Sequence, residues 1–387
     1  MITRDIQSLL KEMMNSFPVV TVTGPRQSGK TTLVRNTYPD MQYVSLEELD
    51  IRKYAISDPR GFLAKYSNSV IIDEIQKAPE LLSYIQGIVD KEKQNGMFIL
   101  TGSNQFEYMS SISQSLAGRT GILKLLPFSY SELYGESYIS QNEVLYSGFY
   151  PRIFDQQIRP ELFLSSYLET YVEKDVRTVS KVQNLMQFHR FLQLCAGRTG
   201  QILNYNNLSN ELGVDSKTVK EWLSIAMAGY IIFLLPPYYR NFNKRIIKSP
   251  KLYFFDVGLA SHLLGIQNAD QISSHPLKGE LFENFVVLDF LKNRYNQGKR
   301  SNLYYFRDNT GNEIDLIYET GLGAIPIEIK SAQTVNTSYF KGLDYFARIN
   351  ENCLEKYLIM GSNIQEQRSN YSILGYPYIS EISKYDS

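Results

Sequence analysis

The sequence lacks the features of an exported, disulfide-stabilised or membrane-spanning protein. Its 387 residues contain two cysteines, Cys195 and Cys353, which are too few for a disulfide framework. The longest apolar run, residues 230–235, is far shorter than the stretch of about 20 residues that crosses a bilayer. Residues 1–5 do not resemble a signal peptide. These absences predict a soluble, cytoplasmic protein with reduced thiols and no membrane partner.

The sequence also lacks an excess of charge of either sign. It has 40 lysines and arginines against 40 aspartates and glutamates. A basic field over the whole surface is therefore absent, and any nucleic-acid site must be local. The 29 tyrosines and 20 phenylalanines are spread along the chain, which is typical of core and surface positions and not of a base-stacking platform. The length suffices for two or three domains with their own cores.

A glycine-rich stretch at residues 24–31 is the strongest functional signal in the sequence. It reads Gly-Pro-Arg-Gln-Ser-Gly-Lys-Thr and matches the phosphate-binding pattern G-x-x-x-x-G-K-[ST]. An apolar, β-rich run at 18–23 precedes it, and a run that can continue a helix, 32–35, follows it. This strand–loop–helix context favours a P-loop over a glycine turn that merely precedes a helix.

A P-loop binds phosphate because its backbone N–H groups and the start of its helix point at the phosphate oxygens. We expect Lys30 to reach the β- and γ-phosphates of ATP and the Thr31 hydroxyl to hold Mg²⁺. The residues assigned to nucleotide binding are Gly24, Pro25, Arg26, Gln27, Ser28, Gly29, Lys30, Thr31 and Thr32.

Two further strands end in polar residues that are expected to meet the P-loop. Residues 69–74 read Ser-Val-Ile-Ile-Asp-Glu, a buried strand with acids at the carboxyl end, where ligands of an open α/β sheet bind. Asp73 is placed to assist Mg²⁺, largely through water, and Glu74 to activate the attacking water. The strand at 97–104 brings Asn104 or Ser103 to the γ-phosphate or the water, unless its end is only a polar turn.

Several segments together resemble prokaryotic AAA-type ATPases that carry a C-terminal DUF4143 domain. They are residues 24–32, 72–77, 100–103 and 115–119. The resemblance implies that Asn104 is a sensor residue, that Gln76 belongs to an Asp-Glu-x-Gln run, and that Arg119 is an arginine finger or sensor arginine. An arginine near the γ-phosphate neutralises transition-state charge, and an ordinary solvated arginine is the alternative. If Arg119 acts in trans, the enzyme must be a homo-oligomer.

The middle of the chain is predicted to be helical and to contain a winged helix. Residues 167–177 resemble a characteristic run of the DUF4143 family. Residues 208–223 read as helix, glycine turn and helix, with Ser216 as a cap of the second helix, and 229–235 and 251–255 as the strands of a wing. Such a module binds DNA in some proteins and only packs in others.

A local basic stretch follows the second helix and supplies the predicted contact with DNA or RNA. No acid occurs between Arg240 and Phe255, and aromatic residues accompany the basic ones. Such a loop suits a phosphate backbone, although a solvated loop is the alternative. The predicted contacts are Arg240, Lys244, Arg245, Lys248 and Lys251.

The last segment has the residue order of a nuclease. A helix from Glu280 and strands at 303–307, 313–318 and 324–330 resemble the PD-(D/E)xK nucleases. The period of a strand points Glu328 and Lys330 to one face. Asp315 and Glu328 are expected to hold a second divalent cation, with Lys330 beside it and Glu283 assisting from the helix. An inactive relic is the alternative.

These observations predict an α/β protein with three domains. Residues 1–135 would form an AAA-like P-loop ATPase domain with a parallel sheet, 136–270 a helical and winged-helix domain, and 271–387 an α/β restriction-endonuclease-like domain. The predicted function is Mg²⁺-dependent ATP binding and hydrolysis coupled to a nucleic-acid-handling module, with Lys30, Glu74, Asn104 and Arg119 in the catalytic site. The alternative is a regulatory ATPase switch that binds a protein through an inactive nuclease-like scaffold.

Overall fold

The computed structural model describes residues 2–66, 69–102, 115–172, 185–238 and 248–386. The chain divides into two compact units. The first comprises Met1–Phe128, Ala228–Tyr230 and Tyr295–Lys299, and the second comprises Ser129–Met227, Ile231–Arg294 and Arg300–Ser387. The predicted second and third domains therefore fall in one unit, and the first unit's main stretch ends at Phe128, earlier than residue 135.

A five-stranded parallel sheet, in the order β2-β3-β4-β1-β5, forms the centre of the first unit. Its strands are β1 (Val19–Thr23), β2 (Gln42–Ser45), β3 (Val70–Asp73), β4 (Phe98–Thr101) and β5 (Thr120–Lys124). Because all five strands are parallel, their carboxyl ends meet at one edge of the sheet, as the P-loop prediction requires. The strand β5 was not expected from the sequence.

Helices cover both faces of this sheet, which explains why its strands are nearly continuous apolar runs. They are α1 (Gln7–Ser16), α2 (Lys30–Thr37), α3 (Leu49–Ser57), α4 (Pro59–Lys65) and α5 (Leu81–Glu92), with a 3₁₀ turn at Ile75–Lys77. On one face Leu10 of α1 packs in a core with Val20 and Val22. On the other face Ile85 of α5 packs in a core that includes Val19.

The first part of the second unit is helical, as predicted. Its helices are α6 (Tyr130–Tyr134), α7 (Gln141–Ser147), α8 (Pro151–Asp155), α9 (Pro160–Tyr167), α10 (Leu185–Ala196), α11 (Tyr205–Leu212), α12 (Ser216–Ala228), α13 (Val257–Leu263) and α14 (Asp270–Ser274), with a π-helical turn at Leu168–Val172. The predicted run at 167–177 extends beyond that turn into residues outside the described part.

Two helices joined by a glycine turn, followed by a pair of antiparallel strands, lie within this helical part, where the winged helix was predicted. Gly213 adopts a left-handed φ of 68° between α11 and α12. Strands β6 (Ile232–Leu235) and β7 (Lys251–Phe254) pair antiparallel. The cap of α12 differs from the prediction, because the Asp215 carboxylate accepts a hydrogen bond from the Thr218 backbone N–H at 2.6 Å. Ser216 instead begins the helix itself.

A six-stranded mixed sheet, in the order β12-β13-β11-β10-β9-β8, completes the second unit. Its strands are β8 (Leu303–Arg307), β9 (Glu313–Glu319), β10 (Ala324–Lys330), β11 (Tyr357–Met360), β12 (Gln365–Arg368) and β13 (Tyr371–Gly375). The accompanying helices are α15 (Lys278–Asn296) and α16 (Lys341–Ile349), with 3₁₀ segments at Thr337–Phe340 and Tyr376–Asp386. The helix and the first three strands were predicted, whereas β11–β13 were not.

Across the described ranges, every helix is too short or too polar to cross a membrane.

Candidate functional site

The glycine-rich loop connects β1 to α2 and has the backbone that a P-loop needs. Gly24, Gln27 and Gly29 all have positive φ, at 145°, 60° and 90°. Gly24 is also required by space, since a Cβ there would lie 2.0 Å from the Leu125 carbonyl oxygen. Ser28 is fully buried, and its hydroxyl donates to the Pro25 carbonyl at 2.9 Å. The loop is therefore held by its own side chains as well as by its neighbours.

Lys30 begins α2 and folds its side chain back onto the loop. Its ammonium Nζ donates to the carbonyl oxygens of Gly24 at 3.1 Å and Pro25 at 2.7 Å. The residue is only 7% exposed. A buried ammonium at the positive end of a helix creates a local site for anions, as predicted for ATP phosphates.

Asp73 ends β3 and gathers three hydroxyl groups from neighbouring segments. Its Oδ2 accepts hydrogen bonds from Thr31 at 3.0 Å and from Tyr43 at 2.9 Å. The Thr101 hydroxyl, from the end of β4, donates to Oδ1. A carboxylate beside a hydroxyl offers the oxygen ligands that Mg²⁺ prefers. The residues of this cluster therefore fit Mg²⁺, with Thr31 and Asp73 as the predicted pair.

Tyr43 and Thr101 were missed by the sequence analysis. Both lie in β-strands whose order the sequence does not reveal, and neither belongs to the P-loop pattern. Burial, and then Asp73, raise the pKa of Tyr43 to about 12. The phenol therefore remains a hydrogen-bond donor to Asp73 throughout the neutral pH range.

Glu74 follows Asp73 in a left-handed conformation with φ 57° and ψ 41°. This backbone is uncommon for a residue other than glycine and is found at functional sites. Gln76 donates a side-chain hydrogen bond to the Glu74 carboxylate. Burial raises the pKa of Glu74, and Lys30 opposes that rise. A carboxylate with a raised pKa is a better proton acceptor, which suits the predicted role in activating water.

The two remaining catalytic predictions have different outcomes. Asn104 lies outside the described residues. Arg119 immediately precedes β5, at the amino end of a strand that runs parallel to β1, so it lies at the sheet edge opposite the P-loop. Its guanidinium pairs with Asp90, with Nη2 2.9 Å from Oδ2. The prediction that Arg119 is a sensor for its own chain's nucleotide is therefore wrong, and a role in trans stays a prediction.

A second polar site lies in the six-stranded sheet, where Asp315 and Glu328 face the same side. The antiparallel register pairs Ile327 with Leu316, which puts Glu328 beside Asp315 on the next strand. The ammonium of Lys330 bridges them, 3.3 Å from Asp315 Oδ2 and 2.6 Å from Glu328 Oε1. The two carboxyl groups are therefore close enough to share one cation.

The electrostatics of this pair reflect burial and like charge. Burial, and then Asp315, raise the pKa of Glu328 to about 8. The Oε2 atom of Glu328 is buried without a hydrogen-bond partner. Asp315 Oδ2 also accepts from the Ile329 backbone N–H at 2.8 Å, which fixes its orientation. Among the residues that the structure describes, no group of three or more acidic, histidine or cysteine side chains is arranged around a metal position.

Lys251 joins this site instead of contacting solvent. It begins β7, is 2% exposed, and its Nζ lies 2.9 Å from Glu283 Oε1 and 2.6 Å from Glu313 Oε1. The Tyr253 hydroxyl also donates to Glu283. The prediction that Lys251 contacts a nucleic-acid backbone is therefore wrong, since its ammonium is buried between two carboxylates. The burial of Glu283 raises its pKa to about 7, and Lys251 opposes that rise.

Three family models match successive parts of the chain. A model described as AAA domain matches residues 16–134, and one described as a domain of unknown function, DUF4143, matches 278–379. The chain carries an AAA domain and a C-terminal DUF4143 domain. A further domain of unknown function, DUF8612, matches residues 139–270 between them. The AAA domain contains the P-loop site, and the DUF4143 domain contains Glu283, Asp315, Glu328 and Lys330.

Known proteins similar to this chain include two uncharacterized mycobacterial proteins. Those of Mycobacterium tuberculosis and Mycobacterium bovis are each 28% identical over 340 residues, covering 87% of this chain and 75% of each relative. Among solved structures, a Walker-type ATPase of Pyrococcus abyssi has a TM-score of 0.44 at 16% identity, covering 67% of this chain and 94% of the other. DnaA from Aquifex aeolicus, bound to AMPPCP, has a TM-score of 0.30 at 10% identity, covering 57% and 85%.

The residues predicted to contact nucleic acid lie between the AAA and DUF4143 matches in the sequence. Only some of them belong to the described part of the chain. Arg240, Lys244 and Arg245 lie outside the described residues, and Lys248 is exposed. On α12, Lys217 and Lys220 are exposed, while the opposite side of the helix is buried. Helix α12 therefore presents two lysines to solvent, a modest positive surface.

Proposed function

We propose that this protein is a Mg²⁺-dependent ATP hydrolase. The observation that carries the proposal is the hydrogen bond of 3.0 Å between the Thr31 hydroxyl and Asp73, next to Lys30 and Glu74. The pair combines the hydroxyl of the P-loop with the acid at the carboxyl end of β3, as in Walker-type ATPases. The AAA domain match over the same residues supports nucleotide binding.

Each residue of the site has a distinct role in the proposed reaction. The amides of the loop and the ammonium of Lys30 bind and orient the phosphates, and Thr31 and Asp73 would hold Mg²⁺, Asp73 largely through water. When bound, Mg²⁺ neutralises phosphate charge. Glu74 orients the attacking water and accepts its proton, since burial disfavours its ionised form. Gln76 keeps the Glu74 carboxylate in place through its hydrogen bond.

Two further catalytic roles belong to this proposal. Asn104 would contact the γ-phosphate or the water from the end of the strand that contains Thr101. Arg119 would act on the nucleotide of a neighbouring subunit, which makes the enzyme a homo-oligomer. For that role Arg119 has to leave Asp90, and its partial exposure is compatible with such an exchange.

The test of ATP hydrolysis is direct. Purified protein should release phosphate from ATP in the presence of Mg²⁺, and chelation of the metal should stop the release. A nucleotide titration by calorimetry, with and without Mg²⁺, separates binding from turnover. Protein that binds no ATP under either condition would contradict the proposal.

We further propose that the second unit handles nucleic acid and that Asp315 and Glu328 share one divalent cation. The shared face of the two carboxylates and the unpartnered Oε2 of Glu328 support a cation site. The helix-turn-helix with Lys217 and Lys220 exposed, together with Arg240, Lys244, Arg245 and Lys248, would contact the phosphate backbone of DNA or RNA. Lys330 would stabilise the charge of a bound phosphate.

One observation favours the second candidate, a regulatory ATPase with an inactive nuclease-like scaffold. Lys251 and Lys330 already neutralise the carboxylates of the site from within the protein. A site that is balanced by lysines has less need of a metal. Cleavage and binding assays with Mg²⁺ or Mn²⁺ separate the two candidates. Nucleic-acid binding with metal-dependent cleavage supports the first, and the absence of both supports the scaffold.

A further inference from the structure

Arg4 is a buried arginine that joins two parts of the first unit that are distant in sequence. It is 8% exposed. Its Nη1 donates to the carbonyl oxygen of Ser28 at 2.9 Å, and its Nη2 donates to that of Leu126 at 2.7 Å. Ser28 lies in the P-loop, and Leu126 lies in residues 125–128, which we term the exit segment. One guanidinium therefore binds the P-loop and the exit segment at the same time.

The exit segment also contacts the P-loop directly. Leu125 donates its backbone N–H to the Thr23 carbonyl at 2.8 Å, just before the loop begins. Its carbonyl oxygen lies against Gly24, where a Cβ would be only 2.0 Å away. The guanidinium carbon of Arg4 lies 4.8 Å from the ring centre of Phe128, the last residue of this stretch of the first unit. The loop and the exit segment therefore form one packed arrangement around Arg4.

The backbone of Arg4 is fixed in this position. Its carbonyl accepts a hydrogen bond from the Gln7 N–H at 3.1 Å, at the start of α1. Ile6 and Leu10 anchor this helix in the core. The planar guanidinium donates to the two carbonyls from two separate nitrogen atoms, whereas the donors of an ammonium all share one nitrogen at the end of a flexible stem. The contact is thus preorganised, and it depends on arginine.

The geometry points to a coupling role for this residue. We propose that Arg4 is a positioning residue for ATP binding and that it links occupancy of the P-loop to the order of the exit segment. The amides of a P-loop point at phosphate, so its carbonyls need partners elsewhere, and Arg4 supplies one to Ser28. Nucleotide that fixes Ser28 thereby fixes Arg4, Leu126 and Phe128. Linkage makes the effect reciprocal, so loosening the exit segment weakens ATP binding by the same factor.

This inference rests on ATP binding at the P-loop, and hydrogen exchange of the full-length protein tests it. A slowly hydrolysed ATP analogue with Mg²⁺ should slow exchange in residues 24–31 and in the exit segment of the wild type. Arg4→Ala should weaken binding of the analogue about tenfold, the loss expected for one charge-assisted hydrogen bond. At saturating analogue this variant should keep the protection of 24–31 and lose that of 125–128.

Two variants make the result decisive. Arg4→Lys keeps the charge but replaces the two separate donor nitrogens with one, so it should bind the analogue more tightly than Arg4→Ala and still show reduced protection of the exit segment. Lys11→Ala removes an exposed cation from α1 and should behave as the wild type. If Arg4→Ala is unstable, the measurements on Arg4→Lys alone test the proposal.

Two outcomes would overturn the coupling. One is an Arg4 variant in which residues 125–128 are protected as in the wild type, and the other is a wild type that binds the analogue without protection of these residues. A wild type that binds no nucleotide refutes the ATPase proposal itself.

Discussion

The hydroxyl of Tyr43 donates to Oδ2 of Asp73 at 2.9 Å, and the same oxygen accepts from Thr31 at 3.0 Å. Tyr43 lies on β2, at the edge of the parallel sheet, while Asp73 ends the neighbouring strand β3. A third segment, α2, brings in the threonine. The carboxylate is therefore oriented by two hydroxyls that come from different elements, and its position depends on the pairing of β2 with β3.

Tyr43→Phe should lower the Mg²⁺-dependent ATPase rate about tenfold, the lower end of the range for residues that orient a metal ligand. The ring remains in place, so the loss reports the hydroxyl. The measurement is the steady-state rate of phosphate release as a function of Mg²⁺ concentration. Tyr38→Phe is the matched control, since Tyr38 lies at the C-terminal end of α2 nearby. This variant should change neither the rate of phosphate release nor its dependence on Mg²⁺ concentration. An unchanged Mg²⁺ dependence in Tyr43→Phe would show that Asp73 is positioned without the phenol.

Lys30→Ala should weaken ATP binding by roughly 100-fold, because it removes a buried ammonium that faces the phosphates. Calorimetry of the variant with Mg²⁺-ATP measures the dissociation constant. Lys53→Ala, which removes an exposed lysine from α3, controls for net charge. Affinity equal to the wild type in Lys30→Ala would contradict the P-loop assignment.

Glu74→Gln should retain ATP binding and slow hydrolysis by about 10²–10⁴-fold, the contribution of a general base. The amide has nearly the same shape but cannot accept the proton of water. Single-turnover hydrolysis and calorimetry on the same preparation separate the two effects. Glu80→Gln, at an exposed position before α5, is the control. Hydrolysis at the wild-type rate would mean that another residue activates the water.

The local sequence predicted most of the strands and several of the helices, but not the contacts between them. The P-loop was visible because its function depends on consecutive residues, and β8 and β10 have the predicted bounds. Tyr43 and Asp73 are 30 residues apart, and Lys251 and Glu283 are 32 apart. Those pairings depend on strand order and helix packing, which a single sequence does not state. The wrong prediction for Arg119 has the same cause. The strand β5 was not recognised in the sequence, so the position of Arg119 at its amino end could not be inferred.

Lys251→Met should destabilise the protein by about 3–5 kcal/mol, because it leaves the buried carboxylate of Glu283 without its cation, whereas the partly exposed Glu313 keeps Arg307. Denaturant unfolding measures the change. Lys248→Met, three residues earlier and exposed, should change stability by less than about 0.5 kcal/mol. In the double variant Lys251→Met with Glu283→Gln, part of the loss should be recovered, since one unpaired charge is removed. A Lys251→Met protein as stable as the wild type would contradict an ion pair inside the site.

Asp315→Asn should abolish binding of Mn²⁺ to the DUF4143 domain if Asp315 and Glu328 share one cation. Each carboxylate contributes charge that the other cannot replace, and the amide retains the shape of the side chain. Titration of the Mn²⁺ electron paramagnetic resonance signal measures binding, with Lys30→Ala as the background to suppress the ATP site. Glu328→Gln should give the same loss, and the exposed Glu366→Gln should give none. Equal Mn²⁺ binding in all these variants would refute the cation site. If the Lys30→Ala protein itself binds no Mn²⁺, Lys251 and Lys330 are sufficient counter-ions for the carboxylates. The inactive nuclease-like scaffold is then the better explanation of this domain.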